Sequence, residues 1–125
     1  MKAFLITLCL LFSNFLSAQS NNFDQRLLEK FTQDELENMK INNQIEFNTI
    51  NYSMDHGYYF VDIPKTKDYN ERLSGEVVIN DLNNFNFLLL NIDFLEADYQ
   101  YFKVRNMDKL LVVKSSDHIN EELNQ

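Results

Sequence analysis

The sequence predicts an α+β domain in which N-terminal helices pack on one face of a small, mostly antiparallel sheet. Three observations carry that expectation. Apolar residues recur at helical spacing as far as Gly57, and beyond it they alternate or cluster in short strand-like runs. The runs after Tyr58 are joined by short polar breaks, without the long crossovers that parallel strands require. Residues 76–95 (EVVINDLNNFNFLLLNIDFL) are too apolar to sit in water, and polar residues break them into short runs, so they read as core: buried strands around a polar corner. Leu89 in that stretch and Val112 further on are accordingly expected to be buried.

The first element is an export segment. Met1 and Lys2 make a short positive start, residues 3–12 are apolar apart from Thr7 and Cys9, and SNFLSAQ is a small polar exit. A signal peptide over residues 1–18 is expected, cut after Ala18, because the apolar run falls well short of the roughly 20 residues that span a bilayer. Cys9 lies mid-run behind Leu8, which argues against lipidation. As the chain's one cysteine it would leave with the signal, so disulfides and thiolate metal sites are excluded from residues 19–125. Those residues are expected to form a single globular α+β domain. Loss of Lys2 takes the formal charge from −8 to −9. This acidic balance argues against nucleic-acid partners and against adhesion to anionic lipid, and it suits an exported protein, periplasmic or secreted.

Phe23, Leu27 and Phe31 recur every four residues and predict a short amphipathic helix. Thr32 with Glu35 three residues on is a capping box, flanked by Phe31 and Leu36 as a hydrophobic staple, so a new helix starts at Gln33. An apolar stripe from Leu36 to Met54 carries helix onward, with a break expected near Lys40 among several asparagines. Gly57 is expected to end it in the left-handed conformation. Residues 58–63 (YYFVDI), closed by Pro64, read as a strand, residues 65–73 as a surface loop, and residues 76–79 as a second strand. Residues 87–92 suit helix as well as strand. YQYFKVR and KLLVVKS around Asn106, Met107 and Asp108 predict a hairpin, and Ser116 is expected to cap a last short helix.

The FTQDEL start, GYYFVDIPK, DLNNFNFLLLNI, the QYFKVRN–KLLVV hairpin and the signal ending in SAQ resemble small, uncharacterised exported proteins of Bacteroidetes. The resemblance implies an envelope location and brings no catalytic residue with it.

The residues themselves spell out no chemistry. His56 and His118 each follow an aspartate, but with no HExxH, HxH or further ligand they read as structural, His56 at a helix C-terminus and His118 exposed near the tail. Among the 19 acidic residues, Asp62 and Asp93 are the best acid/base candidates because each interrupts an apolar run, although an alternating strand places such residues in water unaided. Asp81, Asn83, Asn84 and Asn86 miss the EF-hand pattern and read as turn caps. No serine lies in a nucleophile motif, and Gly57 and Gly75 alone build no phosphate loop. No catalytic, cofactor-binding or metal-ligating residue is therefore expected, and no cofactor.

Aromatic side chains are the enriched class: all 6 tyrosines and 8 of the 11 phenylalanines lie beyond residue 18. Tyr99 and Tyr101 share one face of the hairpin and are the candidate interaction surface. The leading functional expectation is an exported, non-enzymatic domain acting by contact with a cell-envelope protein, with no membrane span once the signal is gone. Two alternatives stand beside it. One is a carrier of a small apolar ligand in an apolar cavity, and the other is a hydrolase-like enzyme whose acids converge only in the fold.

Overall fold

A computed structural model describes residues 22–93 and 96–125, apart from the side chain of Lys67. The predicted export segment, Cys9 within it, and Phe94 and Leu95 lie outside the described residues. Helix α1 spans Gln25–Lys30, capped by the Asp24 carboxylate on the Arg26 amide. At Thr32 the chain turns into α2, Gln33–Asn42, through the capping box read from the sequence: Thr32 Oγ1 accepts from the Glu35 amide at 3.2 Å and Glu35 Oε2 from the Thr32 amide at 2.7 Å. Satisfying two otherwise orphaned amides in this way is worth about 0.5–2 kcal/mol. The break in the long stripe falls at Asn43 rather than near Lys40, and α3 runs over Gln44–His56.

Gly57 ends α3 as expected, but not for the expected reason. Its φ of −82° and ψ of −3° are right-handed and open to any residue. A glycine is needed because a Cβ there would lie 2.8 Å from both Ser53 Cβ and the Ser53 carbonyl oxygen.

The sheet comprises β1 (Tyr58–Asp62), β2 (Gly75–Val77), β3 (Gln100–Val104) and β4 (Lys109–Val113), in the spatial order β1-β4-β3-β2. β1 with β4 and β4 with β3 are antiparallel; the expected hairpin is the β3–β4 pair, turned by Asn106 at φ 62°, a left-handed value asparagine tolerates. Helix α4, Ser116–Leu123, follows, capped by Ser115 rather than by Ser116. The α+β architecture is thus the observed one, with three helices before the sheet among the described residues and two of three strand pairings antiparallel.

The central stretch departs from expectation. β2 lies parallel to β3, so the connection between them is a long crossover of the kind the sequence pattern does not announce. Instead of buried strands, the stretch holds the last two residues of β2, Glu76 and Val77, and a 3-10 turn at Phe87–Leu89. Its polar residues explain this. Asp81 Oδ1 accepts the Asn83 amide at 2.9 Å, Asn86 Oδ1 accepts the Leu88 amide at 3.0 Å, and Asn86 Nδ2 donates to the Arg26 carbonyl at 3.0 Å. The first two bonds are local and take backbone amides that a ladder would need, and the third ties the turn to α1. Ile79, Phe87 and Leu88 still reach the core, but Leu89, expected to be buried, is 54% exposed.

Alternation along the strands gives the sheet two dissimilar faces. Val77, Phe102, Val104, Leu111 and Val113 face the main core with Leu27, Leu36, Ile50 and Met54 of the helices. Tyr59, Val61, Tyr101, Lys103, Leu110 and Val112 occupy the opposite face. Val112 is 2% exposed, as expected.

Candidate functional site

The second face of the sheet is where the exposed aromatic surface gathers. The register sets Tyr59 and Tyr101 on either side of Val112, one on β1 and the other on β3. Tyr59 is 46% and Val61 37% exposed, so an apolar patch reaches solvent at the β1 edge. Tyr101 is half-buried. Tyr99, just before β3, is also half-buried, packs its ring 5.8 Å from that of His118, and is raised in pKa chiefly by burial. The two tyrosines singled out from the sequence therefore differ. Tyr101 belongs to the open part of the face, whereas Tyr99 is drawn toward α4.

The chain between β1 and β2 folds over one end of this face. The chain bends at Lys65 and Thr66, a 3-10 turn occupies Lys67–Arg72, and Ser74 fixes its far end, donating its amide to the Tyr101 carbonyl at 2.7 Å and accepting the Tyr101 amide on Oγ at 3.3 Å. Between this strap and the sheet lies an open groove of about 320 Å³. Val61, Leu110 and Tyr101 come to it from three strands, and Tyr69, Asp68 and Arg72 from the strap. Neither Asp68 nor Arg72 has an ion pair among the described residues. Sequence reasoning missed Tyr59, Val61, Leu110, Tyr69 and Arg72. The signal for the first two was the aromatic and β-branched composition of YYFVD at alternate positions, which gives both faces of a strand apolar side chains. Nothing local announced the strap, which reads only as a polar loop.

A separate polar cluster is centred on Glu122. Its Oε1 accepts from Lys114 Nζ at 2.7 Å and lies 3.1 Å from His118 Nε2, while its Oε2 accepts from Tyr52 Oη at 2.9 Å. His56 stacks on Tyr52 with ring centroids 4.6 Å apart. The histidines thus belong to one side-chain chain joining α3, Lys114 just past β4, and α4, a proximity the sequence did not reveal. His118, expected to be exposed near the tail, is half-buried in the first turn of α4. The hydrogen bond from Lys114, then that from Tyr52, holds the Glu122 carboxyl below the usual range, and the same bond to Glu122 raises Tyr52. Both carboxylate oxygens are engaged, and the cluster fastens α4 to its neighbours.

Because Glu122's folded pKa is depressed, its contribution to stability is fully present above the pKa of an unfolded glutamate. It is lost as pH falls through the lowered folded value. Glu122→Gln should therefore flatten the acid limb of the stability-versus-pH curve below the ordinary glutamate range, as read by denaturant titrations across that range. The Arg26 guanidinium works in the same sense elsewhere. It bonds Asp24 at 2.9 Å and Asp55 at 2.7 Å and holds both carboxyls low.

Asp62 and Asp93 do not converge. Asp62 ends β1 with its side chain 84% exposed and pairs with Lys109. Asp93 is exposed, and its carbonyl accepts Gln100 Nε2 at 2.8 Å. Asp81 and Asn86 serve as turn caps. Among the described residues no group of three or more His, Cys, Asp or Glu side chains could hold a metal ion. No helix of those residues is long and apolar enough to cross a membrane. No protein-family model, no curated protein and no solved structure matches the chain.

Proposed function

We propose that the chain is an exported, non-enzymatic domain that acts by contact with a protein of the cell envelope, and that the second face of the sheet is its contact surface. The observation that carries this reading is the juxtaposition of exposed Tyr59 and Val61 with the open groove at Val61, Leu110 and Tyr101. Tyrosine gives large contact area at small entropic cost and keeps a polar tip for a wet rim. Export rests on the Met1–Lys2 start, the apolar run and the SNFLSAQ exit.

The test is affinity isolation from the native envelope after crosslinking, comparing the parent chain with a Tyr59→Ala, Tyr101→Ala double variant. The double variant should lose about 10-fold or more of the captured partner, as interface aromatics often supply 1.4 kcal/mol or more. It should still unfold cooperatively. The captured parent chain should begin near Gln19 by mass spectrometry. Equal capture by the two chains contradicts the contact surface, and an intact Met1 contradicts export.

The groove also supports a second reading, carriage of a small apolar ligand. Its volume of about 320 Å³ is at the lower end for small-molecule sites, roughly 300–1,000 Å³, and it is open rather than enclosed. A groove-filling Leu110→Phe substitution would abolish ligand carriage while leaving contact through Tyr59 in place.

A further inference from the structure

We infer that β1 pairs edge to edge with β1 of a second copy of the chain, joining two sheets into one across a two-fold axis at Phe60. The phase of the ladder sets the argument. The Lys114 amide donates to the Gly57 carbonyl at 2.8 Å, and the Ile63 amide to the Asp108 carbonyl at 3.2 Å. Alternation between those bonds turns the backbone groups of Tyr59 and Val61 toward β4, and those of Tyr58, Phe60 and Asp62 away from the sheet. β1 ends the strand order and pairs only with β4; among the described residues no hydrogen bond reaches those outward amides and carbonyls.

The two edges of the sheet are not equally guarded. β2 has three residues, with Glu76 held by Arg105 at 2.8 Å, and short charged strands resist pairing. β1 has five residues, YYFVD, with no proline or bulge within it, and its one charge is at the end. An unguarded edge of this kind is a template for another strand.

The strand is also complementary to itself. An antiparallel pair centred on Phe60 sets Phe60 against Phe60 and Tyr58 against Asp62, all with outward backbone groups, so each opposed pair can exchange both hydrogen bonds. Tyr59 then stands opposite Val61 of the second copy, an aromatic against β-branched pair of the kind that stabilises sheets. The two apolar side chains of β1 then lie side by side with those of the second copy, twice, on the same open sheet face. The pairing would place both grooves on one continuous sheet face.

The register is tested by disulfide trapping in a Cys9→Ser background. Chains carrying Tyr59→Cys and chains carrying Val61→Cys are mixed and oxidised. Positions 59 and 61 of opposite copies stand about 4.5 Å apart between Cα atoms, within disulfide range. Position 59 stands about 8 Å from its own counterpart, beyond that range. The mixed sample should therefore give linked dimer about 10-fold faster than either variant alone. Sedimentation velocity of the unsubstituted chain should show mass rising with concentration toward twice that of one chain, and Tyr59→Lys should hold it at one. A chain that stays monomeric throughout, a mixed sample no faster than the single variants, or a Tyr59→Lys chain that still dimerises would each overturn the pairing.

Discussion

Leu88→Ala is expected to lower the free energy of unfolding by about 2–5 kcal/mol, whereas Leu89→Ala one position on should cost less than about 1 kcal/mol. The chemistry removed is the same; the surroundings differ. Leu88 is 1% exposed and packs in the main core with Phe87, Ile79 and Val77, while Leu89 is 54% exposed. The Asn86 side chain decides which leucine turns inward, since it caps the Leu88 amide and anchors the turn to the Arg26 carbonyl and to Glu29 Oε2 at 2.8 Å. Paired denaturant titrations measure both. Equal costs would mean that residues 87–90 are a buried strand after all.

Gly57→Ala is expected to cost about 1–3 kcal/mol, although its backbone angles suit alanine. At a position with an ordinary φ, alanine normally stabilises by about 0.4–1 kcal/mol by restricting the unfolded chain. Here the added methyl meets Ser53 Cβ and carbonyl oxygen at 2.8 Å and Ser53 Cα at 2.9 Å. Ser53 cannot step aside. It is buried, its Oγ donates to the Thr49 carbonyl at 2.6 Å, and its own carbonyl accepts the Gly57 amide at 2.9 Å. Gly57 also joins α3 to β1, and its carbonyl takes the Lys114 amide, so relief of the clash displaces the sheet edge. A thermal or denaturant midpoint unchanged or raised by the substitution would contradict this account.

What was legible in the sequence was local. Thr32 and Glu35 announce a cap because both partners lie within one turn. The β3–β4 hairpin is legible because its strands adjoin in sequence and Asn106 supplies the left-handed residue of the turn. The parallel β2–β3 pair was illegible because residues 75–77 and 102–104 meet only through a long crossover. That crossover is irregular, and its asparagines satisfy the backbone locally while Ile79, Phe87 and Leu88 reach the core. Apolar content correctly marked it as core material, but it did not fix the conformation. The candidate site shows the same division. Tyr101 was found by strand alternation, whereas Arg72 and Tyr69 come from a strap whose docking depends on Ser74 meeting Tyr101 across 27 residues. The cluster of Tyr52, Lys114, His118 and Glu122 likewise spans three elements, so neither histidine could be assigned a neighbour from sequence.

Beside the second sheet face, Ile41 and Ile45 at the bend between α2 and α3 are 79% and 76% exposed and offer a rival apolar surface for contact. Site-specific photo-crosslinking in the native envelope separates the two most directly. A photoreactive residue is placed at position 59 in one chain and at position 41 in another. Two kinds of adduct are then counted, those to a second copy of the chain and those to other proteins. The account expects adducts to another envelope protein from position 59 and not from position 41, and Tyr101→Ala should reduce them. Adducts to that protein from position 41 alone would contradict it.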